Sequence, residues 1–171
     1  MKRLDRIWNQ TNLSLSTKIR IYSTSVLAVL LYGSETWTLT QPNWKRLDSF
    51  HTQCQRQILH IRWYDHITND EVLHQTGLLA ASSIVRKRRL GLFGHVARLA
   101  DDVPANQIVQ TCCKAQDGVR PSPDWRRARG RPLTTWIHQI HRDTGISVTD
   151  ALELAGDRLF WRQIAMAGCY S

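Results

Sequence analysis

Apolar residues recur at helical spacing through most of this 171-residue chain, and glycines follow several of the segments that carry them. The clearest segment begins at Ser14 or Ser16, since either side chain can cap a helix, and stops at Gly33, which tolerates the left-handed backbone of a helix end. Its apolar stripe consists of Ile19, Tyr22, Val26 and Leu30. No period-two alternation holds across the segment, so a helix rather than a strand is predicted.

The rest of the chain follows the same pattern, and no segment makes a convincing strand. The further predicted helix starts are Pro42, Thr68, Ser82 or Ser83, Pro132 and Ser147, and the predicted stops are Gly77 and Gly145. Residues 104–113 fit either a short helix or an extended piece. The sequence therefore predicts an all-α fold, either a small multi-helix bundle with a long basic loop or two loosely packed helical subdomains.

Four consecutive regions are predicted. Residues 1–63 form one helical region, and residues 64–113 hold a short capped helix and a basic helix. Residues 114–131 form a basic loop rich in Arg and Pro, and residues 132–171 form C-terminal helices. Within the basic helix, Gly91 and Gly94 each oppose helix formation by about 1 kcal/mol. Their presence predicts close packing of another backbone against the helix, or a kink.

The net charge of +9 is concentrated in one part of the chain. Residues 86–131 hold eleven Lys and Arg against four Asp, which accounts for +7 of the total. Such a distribution predicts a polyanionic partner, with RNA or DNA first and an anionic membrane surface second. The four cysteines, without a secretory signal, favour an intracellular location, nuclear or cytoplasmic. The longest apolar run, residues 25–33, is far shorter than the roughly 20 residues that span a bilayer.

Two basic clusters are the candidate nucleic-acid-binding residues. The first is a run of four basic residues on the basic helix; the run covers more than one helix face, so its members cannot all be buried. The second is the basic loop, where a tryptophan lies among arginines. The tryptophan is suited to stacking on unpaired bases, and the arginines are suited to binding phosphate. The predicted binding residues are Arg86, Lys87, Arg88, Arg89, Arg98, Arg120, Trp125, Arg126, Arg127, Arg129 and Arg131. The alternative is a solvated helix face with a flexible basic loop. Most of the seven tryptophans are predicted to hold the helical core together, and only Trp125 is placed to contact a partner.

Adjacent carboxylates at Asp101 and Asp102 raise the question of a polymerase metal site. Two-metal catalysis needs carboxylates that converge from separate strands, and no upstream strand carries another Asp here. An Asp pair that precedes Val103 and Pro104 is ordinary turn chemistry. A turn is therefore predicted, with no catalytic residue in the chain.

Possible zinc ligands occur only in pairs. His51 with Cys54, and His138 with His141, each place two ligand types on one helical face. A structural zinc site needs four ligands in a familiar spacing, which these pairs do not supply. No metal, other cofactor or small-molecule substrate is predicted.

Several blocks resemble, in order, the C-terminal region of LINE-type (non-LTR) retrotransposon reverse transcriptases. The most distinctive are LYGSETW at residues 31–37 and RRLGLFGHV at residues 88–96, with ILHIRWYDHITNDEVLHQTG and GRPLTTWIHQIHRD also matching. In that family this region follows the palm. The resemblance therefore implies that residues 1–63 are thumb-like, that the basic part binds template RNA or DNA, and that the palm's catalytic Asp residues lie upstream of Met1.

The expected function is thus that of a catalytically incomplete C-terminal fragment of a reverse transcriptase, a truncated copy that is not an enzyme by itself. It would retain a basic helical module that binds nucleic acid. The alternative is a helical protein-interaction or regulatory module with no nucleic-acid role. A surface that would have packed on the missing palm then leads to self-association.

Overall fold

The computed structural model describes residues 4–116, 118–119, 122–124 and 134–167. The helices are α1 (Asp5–Trp8), α2 (Leu15–Ile21), a π-helix (Tyr22–Leu27), α3 (Ala28–Leu30), α4 (Gln41–Ile58), α5 (Asn69–Thr76), α6 (Ala81–Ala97), α7 (Pro104–Gln116), α8 (Trp136–Thr144), α9 (Val148–Leu154) and α10 (Arg158–Ala167). Two 3₁₀ turns, Ser34–Thr36 and Trp63–Asp65, lie between them. These ranges contain no strand, so the predicted all-α class is confirmed. No helix within them is both long enough and apolar enough to cross a bilayer.

The described residues fall into two compact units. The first unit draws on residues 1–33 and 41–84, and the second on residues 34–40 and 85–171. The division falls within α6, whose first turn, Ala81–Ile84, groups with the first unit. The two units are defined by spatial contacts, and each draws on separate stretches of the sequence. They do not test the predicted division into four consecutive regions, which stays a prediction.

In the first unit, the long predicted helix is split into α2, the π-helix and α3. Ser14 is its cap, because the Ser14 hydroxyl accepts a hydrogen bond from the Thr17 amide at 3.3 Å. Gly33 ends the segment with φ at +66°, the left-handed value that the sequence predicted. The π-helix carries two buried side chains, Tyr22 and Leu27.

A buried histidine links α4 to the rest of this unit. The Tyr22 hydroxyl lies 2.7 Å from His51 Nδ1, and His51 Nε2 lies 3.0 Å from the Leu79 carbonyl oxygen. A carbonyl only accepts, so Nε2 carries the proton and Nδ1 accepts from Tyr22. Burial lowers the pKa of His51 below its ordinary 6.5, against the opposing effects of the Leu79 carbonyl and Asp48. The histidine is therefore a neutral core residue.

The second unit packs an apolar core around α6. Phe93 lies against Trp161, with ring centroids 5.3 Å apart. The fully buried aliphatic partners are Leu90, Ile140, Val148, Ala151 and Ala155. The 3₁₀ turn Ser34–Thr36 joins this unit, since Trp136 Nε1 donates to the Glu35 carbonyl at 2.8 Å.

Three helix boundaries refine or correct the sequence-based predictions. Residues 104–113, which fitted a helix or an extended piece, lie in α7. Helix α6 begins at Ala81, slightly before the predicted Ser82 or Ser83. The prediction that a helix restarts at Pro132 is wrong: Thr135 is extended, with φ −89° and ψ 163°, and its hydroxyl accepts from the His138 amide at 3.1 Å. Thr135 is thus the N-cap of α8. Pro132 itself lies outside the described residues.

Candidate nucleic-acid interface

The predicted nucleic-acid-binding residues divide into two sets. Those of the basic loop lie outside the described residues: Arg120, Trp125, Arg126, Arg127, Arg129 and Arg131. Those on or just after α6 are described: Arg86, Lys87, Arg88, Arg89 and Arg98. The candidate interface can therefore be built from α6 and the elements that contact it in the second unit.

Arg89 is fully buried and has a structural role. Its Nη1 donates to Asp143 Oδ2 at 2.9 Å and to Gln139 Oε1 at 3.0 Å, both on α8. No part of this side chain is exposed, so it cannot reach a phosphate in this structure. The prediction that Arg89 contacts nucleic acid is corrected by this burial: the charge fixes one helix against another.

Arg86 reaches the same end of α8. It is half-buried, and its Nη2 donates to the Asp143 backbone carbonyl. The last carbonyls of a helix lack intrahelical partners and carry partial negative charge, so an arginine is well suited to this position. Arg86 and Arg89, three residues apart and on the same side of α6, thus both bind Asp143.

Burial shifts the pKa values of both Asp143 and Arg89. It raises the pKa of the Asp143 carboxyl, while Arg89, Arg86 and Arg142 act in the opposite direction. It also lowers the pKa of the Arg89 guanidinium, against the effect of Asp143. Three arginines around one carboxylate leave an excess of positive charge at the C-terminus of α8. Arg142, in the last turn of α8, is exposed to solvent.

Lys87 and Arg88 are the exposed residues of the basic run. Successive residues on an α-helix are about 100° apart, so the positions between Arg86 and Arg89 turn away from α8. Arg88 Nη1 donates to the Ser34 hydroxyl at 3.3 Å, which positions its side chain beside the 3₁₀ turn. The four consecutive basic residues thus separate into two that hold the helix and two that face outward.

Arg98 follows the end of α6 and contributes to both structure and surface. The residue is exposed, yet its Nη1 donates to the Ala155 carbonyl at 2.7 Å, just after α9. Anchored in this way, it adds a positive charge to the surface of the second unit.

The sequence-based predictions missed two features. Arg142 was not singled out, although a basic residue in the last turn before a helix-ending glycine is a recognisable signal. Trp63 was not singled out as an exposed residue, yet it is 86% exposed. Its place in a short segment without helical periodicity was the available signal. Among the other tryptophans, Trp8, Trp44 and Trp161 are buried.

Asp101 lies in a turn, as predicted, and its groups are engaged locally. Its Oδ1 accepts from Gln110 Nε2 at 3.0 Å, and its carbonyl accepts from Gln107 Nε2 at 2.9 Å. These bonds tie the turn to the first half of α7. Across the part of the chain that the structure describes, no group of three or more His, Cys, Asp or Glu is placed to hold a metal ion.

Two comparisons with known proteins returned matches. Residues 1–32 match a family described as a domain of unknown function (DUF6451). Over 167 residues the chain is 28% identical to the putative uncharacterized transposon-derived protein F52C9.6 of Caenorhabditis elegans, an alignment that covers 90% of this chain and 56% of that protein. The chain thus spans little more than half the length of this relative. No solved structure matches the chain.

Proposed function

We propose that this chain is a helical nucleic-acid-binding segment of a retrotransposon reverse transcriptase, from the region that follows the palm. The similarity to a transposon-derived nematode protein supports a transposon origin. The blocks LYGSETW and RRLGLFGHV support the reverse transcriptase assignment. The ligand is template or product nucleic acid, and the catalytic carboxylates belong to the palm.

The nucleic-acid part of the proposal rests on the different roles of the basic residues of α6. Arg86 and Arg89 bind Asp143, so the helix that presents Lys87 and Arg88 is fixed at its middle. Preorganised cations lose less conformational entropy when they bind phosphate than cations on a mobile segment do. Arg142 and Arg98 add exposed charge within the same unit. A fixed set of exposed cations is the arrangement that phosphate backbones bind with release of counterions.

Fluorescence anisotropy with labelled single-stranded RNA, single-stranded DNA and duplex DNA at stepped salt tests this function. The double variant Lys87→Gln/Arg88→Gln should bind more weakly. Its salt dependence should also be shallower, by about 0.7 in log–log slope per lost contact on a single strand and about 0.9 on a duplex. Lys45→Gln/Arg46→Gln is the matched control, because it removes an equally exposed Lys–Arg pair from α4.

The control variant should bind like the parent protein. Binding that is weak and independent of salt in the parent protein would rule out the proposed function. Equal losses in the two double variants would show that general charge, rather than the α6 surface, drives binding.

A second candidate function is protein interaction, favoured by exposed apolar side chains. In the first unit Val29 is 75% exposed and Tyr32 is 86% exposed, and in the second Leu159 is 74% exposed. Large exposed apolar patches mark interaction surfaces. Sedimentation velocity over a range of protein concentrations tests this candidate. Self-association that Val29→Ser/Tyr32→Ser abolishes would support it, and a concentration-independent monomer would count against it.

A further inference from the structure

The segment between α4 and α5 exposes two aromatic side chains next to each other. Trp63 is 86% exposed and Tyr64 is 50% exposed, so most of the indole surface is open to solvent. Their ring centroids are 5.8 Å apart and the ring planes meet at 75°. Such exposure is unusual for a large apolar side chain, and three other tryptophans of this chain are buried.

The backbone that carries these rings is held on both sides. Asp65 Oδ2 accepts from the Arg62 amide at 2.6 Å, which closes the 3₁₀ turn Trp63–Asp65. His60 and His66, which bracket the segment, both have left-handed backbones, with φ of 58° and 52°. His60 Nε2 also donates to the Trp8 carbonyl at 3.1 Å, so the entry to the segment is tied to α1. We refer to residues 62–64 as the aromatic elbow.

A polar recess of about 350 Å³ adjoins the aromatic elbow. It is lined by Asp5, Trp8, Asn9, Arg56, Gln57, His60, Ile61 and Arg62. Arg62 belongs to both features, because its guanidinium carbon lies 6.0 Å from the Tyr64 ring centroid. Arg56 is held in place by bonds from its Nη2 to the Ile67 carbonyl at 2.6 Å and to Asn69 Oδ1 at 3.0 Å. Asp5 is the one carboxylate in the lining, against two arginines.

One further lining residue, Trp8, has an unsatisfied donor. Its side chain is 1% exposed, and its Nε1 has no hydrogen-bond partner among the described residues. A buried donor without an acceptor costs about 1–3 kcal/mol, and such groups are rare in native structures. The two arginines outnumber Asp5 in the lining of the recess, and this excess of positive charge suits an oxygen-rich anion.

Exposed rings next to fixed arginines match the chemistry of an unpaired nucleotide. A nucleobase offers a flat face for stacking on an indole, and the phosphate linked to it offers oxygens for guanidinium groups. A duplex does not offer this combination, because its bases are covered by their neighbours. An apolar protein partner would leave the charges of Arg56 and Arg62 without a counterpart.

We propose that the aromatic elbow is a binding site for single-stranded nucleic acid: Trp63 stacks on an unpaired base, and Arg62 with Arg56 contacts the phosphates beside the recess. The site deepens the proposed function by specifying a single-stranded ligand, and it rests on that function only in so far as nucleic acid is the partner. It uses none of the residues of α6.

Anisotropy titrations of the full chain with a labelled oligo(dT) strand and with a duplex of equal length test the site. Trp63→Ala should weaken oligo(dT) binding about 5- to 150-fold, the range measured when a base-stacking aromatic is removed. Its effect on the duplex should be much smaller. Trp63→Phe should retain most of the affinity, because a phenyl ring still stacks. Tyr32→Ala is the matched control, since Tyr32 is an equally exposed aromatic residue of the same unit.

The outcomes separate this proposal from the proposed function. If the parent protein binds oligo(dT) and Trp63→Ala binds it equally well, the aromatic elbow is not a nucleotide site. The proposed binding of nucleic acid through α6 is then unaffected. If Lys87→Gln/Arg88→Gln and the parent protein both fail to bind any strand, the function itself is wrong. If Trp63→Ala changes sedimentation rather than affinity, the elbow is a protein contact and the proposal is overturned. Thermal melting of Trp63→Ala should match that of the parent protein, because the indole is exposed.

Discussion

The indole ring of Trp161 lies directly against Gly94, so closely that a Cβ added at position 94 would stand 2.3 Å from its Cδ1 atom. The same indole donates from Nε1 to the Leu90 carbonyl at 2.7 Å, one turn earlier on α6. The ring therefore fits into a notch that exists only because residue 94 has no side chain. The sequence predicted that another backbone packs closely at Gly91 and Gly94, or that the helix kinks there. At Gly94 the close neighbour is instead the side chain of Trp161, and at Gly91 no described atom lies within 4 Å of an added Cβ.

Alanine at the two glycines of α6 should therefore have opposite effects. Gly94→Ala should lower the free energy of unfolding by about 1–3 kcal/mol, because Trp161 is buried and cannot move aside freely. Gly91→Ala should raise it by up to about 1 kcal/mol, because no atom of the described residues lies within 4 Å of the added Cβ and alanine favours a helix. Urea titration followed by circular dichroism measures both. Equal effects of the two substitutions would contradict the notch.

A second prediction concerns the buried ion pair between Arg89 and Asp143. Arg89→Met should lower the free energy of unfolding by about 3–5 kcal/mol, because it leaves the largely buried Asp143 carboxylate without its partner. Arg89→Met/Asp143→Leu should recover most of that loss, since it replaces both charges with apolar groups. Lys87→Met, an exposed neighbour on the same helix, is the control and should change stability little. The three variants can be compared by chemical denaturation; a double variant as unstable as the single one would refute a paired role.

His51 should make the first unit less stable in mild acid. Its folded-state pKa lies below the unfolded value near 6.5, so the unfolded chain binds more protons in the interval between the two. The contribution of neutral His51 is complete above about pH 6.5 and is lost as the pH falls through the folded-state value. NMR titration of the imidazole protons should give a His51 midpoint below 6.5, and His51→Gln should flatten the pH dependence of urea unfolding. A midpoint at or above 6.5 would show that burial does not disfavour the charged form of the His51 ring.

The start of α8 can be tested at Thr135. As the N-cap, its hydroxyl accepts from the His138 amide, so Thr135→Ala should cost about 0.5–2 kcal/mol. A helix that began at Pro132 would instead place position 135 inside the helix, where alanine is favoured. Thr135→Ser should keep the bond and most of the stability. Thermal unfolding of the two variants distinguishes the alternatives by the sign of the effect.

Prediction from the sequence succeeded where the physical signal was local. The caps at Ser14, Thr68 and Ser147 bond to the amides three residues later, and Gly77 and Gly145 take the predicted left-handed backbone. It failed at Pro132, because proline and threonine are both good helix starters and only the backbone of Thr135 separates them.

The candidate site was predictable in part. A run of four basic residues on one helix indicated that some must be exposed, but it did not say which. Arg89 is buried because α8 brings Gln139 and Asp143 to it from 50 and 54 positions further along the chain. Trp63 was not distinguished from the tryptophans expected in the core, and its exposure follows from a turn held by Asp65.

The sequence by itself determined that the chain is helical, where several of its helices begin and end, and that its positive charge is concentrated in residues 86–131. These properties depend on caps, glycines and residue spacing, which act over a few residues. The tertiary structure decided which arginines of α6 face solvent and why Gly94 must be glycine. Those outcomes depend on contacts between residues far apart in the chain, and such contacts leave no trace in local sequence.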